Sequence, residues 1–388
     1  MKMKSILAAL ALIGGLTSAF AQLTIPSDGT DGALNLPANP TNVEIDLSQA
    51  VTGTWSDNNA ANVGKGIYDA QKWAIVFKYS SVSIPAGVTV TFKNHPTYAP
   101  VVWLVQGSVN IAGTVSVNGK NGVTGTDAVY PTEPGPGGFR GGPTGQQGAG
   151  TGLGPGGGAT GGGGYNAIYG NPEIRPLIGG SGSNSIGGVS GGGGGAILIA
   201  APGTIQMNGS IIAVGGLGYQ GGGGPYNGSG GAIKLISNQV SGTGSLNAAA
   251  TGRTRIEANT LSATIATTPS TIAVAPGTTP TIFQANTSPT VRIASVDGVN
   301  SPADPTAPLI SSADIAIQKN TPVTIVLETR NFATAGAVVA VRIANKFGAA
   351  TSLNATLDGG GTSTLSTWRI STTLAPGFVT LQARATAP

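Results

Sequence analysis

The stretch Val101-Val-Trp-Leu-Val-Gln-Gly-Ser-Val109-Asn-Ile111-Ala-Gly113-Thr-Val115 can be laid over two later ones. These are Ile197-Leu-Ile-Ala-Ala-Pro-Gly-Thr-Ile205-Gln-Met207-Asn-Gly209-Ser-Ile211 and Ile233-Lys-Leu-Ile-Ser-Asn-Gln-Val240-Ser-Gly242-Thr-Gly244-Ser-Leu246. In each, an apolar run meets a short polar turn, then apolar residues at every second position, then a glycine. A repeat of that kind describes short strands coiling into a parallel solenoid, each turn burying its apolar side chains against the next.

Working outward, Pro85-Ala-Gly87 is a turn, and Val88-Thr-Val90-Thr-Phe92 alternates as a strand does, so Val82 to Phe92 forms a rung ahead of Val101. Arg255-Ile-Glu-Ala with Leu261-Ser-Ala-Thr-Ile265 fits a last, degraded rung. Residues 22–80 read as the N-terminal cap, with Trp55, Trp73 and Phe77 available to cover the open end. The solenoid proper is expected over 81–265.

Rung spacing is uneven. Gly113 and Gly209 lie 96 residues apart, Gly209 and Gly244 only 35, so the excess must leave the core as loops. Most of it is the tract from Gly135 to Gly231, which holds 40 of the chain's 64 glycines. Two readings stay open. The tract is a flexible insertion, since glycine loses more backbone entropy on ordering than any other residue. Alternatively, the missing Cβ atoms let strands or polyproline II segments lie unusually close, with backbone hydrogen bonds and Cα–H contacts replacing side-chain packing. Collagen is excluded because the glycines keep no three-residue period.

From residue 266 the composition turns to Thr, Pro and Ala, and alternating runs follow at Val291–Val296, Val323–Leu327, Val338–Ile343, Leu365–Ile370 and Phe378–Ala383. Turn signals such as Asp297-Gly and Asp358-Gly-Gly-Gly separate them, which predicts a β-sandwich of immunoglobulin-like size over 266–388. The fold class expected is thus all-β, without convincing helical periodicity after the leader.

The first 21 residues read as a signal peptide: Lys2 and Lys4, an apolar run from Ile6 to Leu16, then Ala19-Phe20-Ala21 as the cleavage signal. The mature chain then begins at Gln22 and is secreted or held at the cell surface. The apolar run is shorter than the roughly 20 residues a membrane helix needs, so no transmembrane segment is expected. The 388 residues include no cysteine, which removes disulfides, thiolate metal sites and a lipoprotein anchor together. Charged residues make up 9% of the chain, and the formal charge of +4 loses Lys2 and Lys4 with the leader. That field is too weak and too scattered for a nucleic-acid partner.

The glycine-rich run, Ala196-Ile-Leu-Ile, Gly203-Thr-Ile-Gln-Met-Asn-Gly-Ser-Ile211 and Gly228-Ser-Gly-Gly-Ala-Ile-Lys-Leu235 together resemble the right-handed parallel β-helix proteins, glycine-rich and exported to the surface, of environmental bacteria. The likeness covers roughly residues 80–265. It implies a rise of about 4.8 Å per rung and a rod on the order of 25 to 35 Å long. Polysaccharide lyases and glycosidases share this scaffold with adhesins and surface proteins, so the resemblance does not choose among activities.

Enzymes of that kind work with clustered carboxylates, in a glycosidase two acids about 5 to 9 Å apart on one face, or with an Arg or Lys base beside calcium held by carboxylates. The overlaid strands carry only Lys234, with Arg255 and Glu257 on the last rung, and no two carboxylates share a matched outward position. The loops offer Glu133, Arg140, Glu173 and Arg175 as acids and bases for polysaccharide cleavage; the plainer alternative is an ion pair between Glu133 and Arg140 that pins a loop. His95, the only histidine, reads as a turn residue in Lys93-Asn-His-Pro. Asp28 and Asp31 offer two carboxylates to calcium without the remaining ligands, which fits a tight turn better. No cofactor is expected, since the glycine runs lack the helix and Lys-Ser/Thr of a phosphate cradle.

Aromatic residues concentrate where there is little core to receive them: Tyr130, Phe139, Tyr165, Tyr169, Tyr219 and Tyr226. Their flat rings suit stacking on sugar rings, or on one another as loop anchors. Two functions are therefore carried forward. The first is an exported, non-enzymatic surface or matrix protein, structural or adhesive, with a polysaccharide or cell-surface glycan as partner and self-association at its strand edges. The second is a polysaccharide lyase or glycoside hydrolase. Ice binding needs ranked threonines, which the rungs do not keep.

Overall fold

The computed structural model describes residues 23–58, 63–122, 132–142, 152–156, 169–183, 189–218, 227–285, 287–301, 314–345, 351–358, 364–377 and 379–387. Among them the chain is all-β, with one short 3-10 turn, Leu47–Gln49. No helix there is long and apolar enough to cross a membrane.

The overlaid stretches pair as parallel neighbours in the register their apolar residues dictate. Val101 lies opposite Ile197, and Ile197 opposite Ile233; Val109 opposite Ile205, and Ile205 opposite Val240; Val115 opposite Ile211, and Ile211 opposite Leu246. A register shift between Ala201 and Thr204 absorbs the one-residue difference between the second and third copies.

Repeated passes build three walls. The first holds Ala74–Tyr79, Val101–Val105, the leading halves of Ala196–Met207, Ala232–Gly242 and Arg253–Ala263, and finally Ile272–Val274. The second holds Ala33–Asn35, Ser81–Ile84, Val109–Ile111 and the trailing halves of the same long strands. The third runs Asn42–Asp46, Thr89–Lys93, Thr114–Ser116, Ser210–Ile212, Ser245–Asn247, Ala266–Thr268. Strand pairing therefore extends beyond the expected limits of 81 and 265 at both ends.

Inward side chains of all three walls meet in one core, with Phe77, Trp103, Ile199, Leu235 and Ile256 stacked in register. Alternation explains the choice, since every second residue of a strand points to the same side. Glycine closes each repeat for a steric reason: a Cβ on Gly209 would stand 1.8 Å from Gly113 O, and one on Gly244 2.2 Å from Gly209 O.

The outer face of the first wall is also apolar. Val76, Val102, Leu104, Leu198 and Ile236 are buried there by Leu23, Ile25, Ile282, Phe283 and Trp55. Trp55, expected over the open end, thus covers the side of the stack, its ring 5.2 Å from that of Phe283. Phe77 lies within the core, stacked on Tyr79. The end is closed by Leu47, which is fully buried.

The C-terminal region forms two antiparallel sheets, one holding Thr290–Val296, Val299–Asn300, Val323–Arg330, Leu365–Thr372 and Thr356–Leu357, the other Thr351–Asn354, Val338–Asn345 and Val379–Thr386. Ile325, Leu327, Trp368 and Ile370 of the first meet Val339, Val341 and Ile343 of the second in a separate core.

Candidate functional site

At the described positions, the glycine tract packs backbone against backbone. Gly192 donates to Lys120 O, Gly193 to Phe139 O, Gly194 to Ser229 O and Gly195 to Val117 O, at 2.6 to 3.1 Å. Successive amides point to three different neighbours and the fourth returns to the first, which is the threefold periodicity of polyproline II. The carbonyls do likewise: Gly216 donates to Gly192 O, Gly135 to Gly193 O and Gly180 to Gly194 O. Residues 189–195 are thus surrounded by the runs 117–122, 132–142, 178–183, 213–218 and 227–231.

This is the close-packing reading of the glycine tract, and its cause is the missing Cβ. One added to Gly193, Gly216, Gly230 or Gly231 would fall 1.7 to 1.8 Å from a neighbouring carbonyl oxygen. Where a side chain does enter it is small and hydrogen-bonded: Ser190 Oγ donates to Gly142 O, and Ser229 Oγ accepts from Ser181 N, both at 2.6 Å.

Glu133 and Arg140 sit on one run of this bundle, but no ion pair joins them. Glu133 Oε1 accepts from Asn94 Nδ2 at 3.1 Å, while Arg140 is buried, its carbonyl accepting from Leu153 N. Burial and the charge of Glu133 push the Tyr98 hydroxyl above its ordinary range, against a smaller opposing influence from Arg140.

Glu173 and Arg175 do pair, and they belong to a larger cluster. The segment 169–178 lies as a strap across the outer face of Ala232–Gly242 and Arg253–Ala263. Lys234 Nζ donates to Glu173 O at 3.0 Å; Arg253 donates to Tyr169 O at 2.7 Å and Gly170 O at 3.0 Å; Arg255 donates to Pro172 O at 3.2 Å. Ile174 is buried beneath the strap against Ala196 and Ala232.

Glu257 holds two of those cations. Its Oε1 lies 2.9 Å from Lys234 Nζ and 2.6 Å from Arg255 Nε. Burial alone would raise its pKa, but the hydrogen bonds from Arg255 and Lys234 outweigh that and keep it below the usual carboxylate range. Burial lowers the Lys234 pKa despite the same contact. Lys234, Arg255 and Glu257 were visible in the sequence as the few charges on the rungs. Their union with Glu173 and Arg175 was not, because register alone does not show where a loop returns. Beside the strap, Tyr169, Asn171, Thr251 and Arg253 help line a cleft of about 20 Å³, room for about one water.

Of the aromatic candidates, Phe139 lies 6.4 Å from the Trp73 ring, and the Tyr169 hydroxyl donates to Gly179 O, its pKa raised by burial. Both act as loop anchors. Tyr130, Tyr165, Tyr219 and Tyr226 lie outside the described residues, as do residues 1–22, which hold the expected signal peptide.

Asp28 and Asp31 are engaged within the protein. Asp31 is buried and accepts from the amides of Gly64, Gly66 and Lys78; Asp28 accepts from Thr30 and lies 3.1 Å from the buried ammonium of Lys78. Against the raising effect of burial, the Thr30 and Lys78 hydrogen bonds lower the Asp28 pKa. No group of three His, Cys, Asp or Glu that could hold a metal occurs among the described residues. His95 is a turn residue, accepting from Thr97 N through Nδ1 and from Tyr98 N through its carbonyl.

No family model, curated protein or solved structure matches the chain.

Proposed function

We propose that the chain is an exported, non-enzymatic surface or matrix protein: a right-handed parallel β-helix followed by an immunoglobulin-like sandwich, acting by adhesion to a polysaccharide or cell-surface glycan. The observation that carries this reading is the threefold hydrogen bonding around Gly191–Gly195. A bundle held by its backbone in several directions is a stiff platform, and stiff platforms are where binding loops are displayed. The stretches joining its runs, residues 123–131, 157–168 and 219–226, carry Tyr130, Tyr165, Tyr219 and Tyr226, residues suited to stacking on sugars.

The charged residues support the same reading. Glu173 and Arg175 bond each other, Lys234 and Arg255 bond Glu257, and Glu133 bonds Asn94. Each has a structural task.

A glycan array probed with the mature chain, beside assays for polysaccharide cleavage, tests the proposal. The expected result is binding to a defined glycan class without new reducing or unsaturated ends, weakened about tenfold or more by Tyr165→Ala or Tyr219→Ala. Turnover of a polysaccharide that disappears in Glu133→Gln or Glu173→Gln would overturn it.

A further inference from the structure

Among the described residues, the parallel stack is closed at one end and open at the other. Near its first strands, Leu47 is buried against the core, and Ile67–Asp69 and Val51–Thr52 extend the first wall beyond Ala74–Tyr79. At the far end, Ala266–Thr268 is the terminal strand of the third wall. The trailing half of Arg253–Ala263 is terminal in the second, because Ile272–Val274 pairs only with Arg255–Glu257.

The chain then turns away from that end instead of crossing it. Thr24 N donates to Thr278 O, Lys72 Nζ to Gln284 O, and Phe283 meets Trp55, all on elements of the first turns.

The open end leaves a mark on the side chains. Leu34, Val82, Val109, Ile205, Val240 and Leu261 form one inward column. Its four internal members are at most 2% exposed, whereas Leu261 is 44% exposed. Asn259 to Val274 contains no charged residue. Edge strands of monomeric proteins ordinarily carry charges or bulges that discourage pairing.

We propose that this end is covered by the same end of a second copy, in a closed two-fold dimer. A strand edge offers both N–H and C=O groups, so two symmetry-related edges satisfy each other when they run antiparallel. An uncharged edge meets its own copy without like-charge repulsion, while a charged partner finds no complement there. The opposite end does not match it, since it carries a cap of its own and Glu44 and Asp46 on its terminal strand. A closed pair therefore forms, not a fibre. This inference stands on strand topology and is independent of the glycan reading.

Light scattering and sedimentation velocity of the mature chain over a wide concentration range test it. A dimer that dissociates on dilution is expected. Leu261→Lys, and Thr260→Lys at an exposed position of the same edge, bring two lysines together across the axis. Each raises the dissociation constant by about a hundredfold or more. Asn35→Lys, at the capped end, leaves the dimer intact. A chain that stays monomeric overturns the proposal; so do open-ended oligomers blocked by Asn35→Lys, or a dimer indifferent to Leu261→Lys and Thr260→Lys.

Discussion

A methyl group on Gly193 would stand 1.8 Å from the carbonyl oxygen of Gly180. Neither residue can yield cheaply, because Gly193 N donates to Phe139 O while Gly180 N donates to Gly194 O. Gly193→Ala must therefore break backbone hydrogen bonds or move a whole run, and is expected to lower unfolding stability by about 3 kcal/mol or more. Gly203, with nothing within 4 Å of a new Cβ and no positive φ, is the comparison. Gly203→Ala should be neutral or stabilising by up to about 1 kcal/mol. Urea melts of the two variants check this, and similar midpoints would show that the glycine packing is not tight.

The same contrast explains what could be read in advance. Val101, Ile197 and Ile233 declared their stacking because an apolar period of two fixes both face and register. The two sheets of the C-terminal region were readable for the same reason, one at Val323–Arg330 and Leu365–Thr372, the other at Val338–Asn345. The run Gly191–Gly195 has no such period: without side chains, nothing in the letters distinguishes a loose loop from a packed polyproline II segment. Which runs surround it depends on chain returns as distant as Lys120 and Ser229, and the Glu173 strap over Lys234 was hidden for the same reason. Trp55 misled because the outer face of the first wall, at Val102 and Leu198, is itself apolar and needed a cover.

Lys234 depends on a single carboxylate. It is 1% exposed and its ammonium lies 2.9 Å from Glu257 Oε1, with the Glu173 carbonyl as a neutral second acceptor. Glu257→Gln leaves that charge buried without a counter-ion, at an expected cost of about 3 kcal/mol or more. Adding Lys234→Met should recover part of the loss, since the two residues are in contact and their effects are not additive. Denaturant midpoints of the single and double variants decide it; additive losses would mean that the pair is not coupled.

The acid limb of the stability curve follows from carboxylates held below their ordinary range. Asp46 sits at about 2 instead of 3.8, chiefly through the hydrogen bond from Lys93, 2.8 Å away, and then that from Ser48. A carboxylate depressed on folding stabilises the protein above its unfolded pKa and loses that contribution as pH falls through the folded one. Asp46 therefore contributes fully above about pH 4 and nothing below about pH 2, and Glu257, also depressed, adds to the loss below its ordinary 4.5. A carbon-detected NMR titration should place Asp46 near 2, and Lys93→Ala should move it toward 3.8. A midpoint unchanged by Lys93→Ala would assign the shift to Ser48 alone.

Arg253 ties the strap down at its leading end, donating to Tyr169 O at 2.7 Å and Gly170 O at 3.0 Å. Its removal frees two carbonyls that stand at the surface, where water replaces the guanidinium, so the global cost is small, about 1 kcal/mol. The local effect is larger, because among the described residues the rest of the strap is held by Lys234, Arg255, the buried Ile174 and the half-buried Leu177. Arg253→Ala should leave the unfolding midpoint nearly unchanged while accelerating amide exchange and proteolytic cleavage across residues 169–178. Equal cleavage of the variant and the parent chain would show that Ile174 and the two remaining cations suffice, and that Arg253 is no clamp.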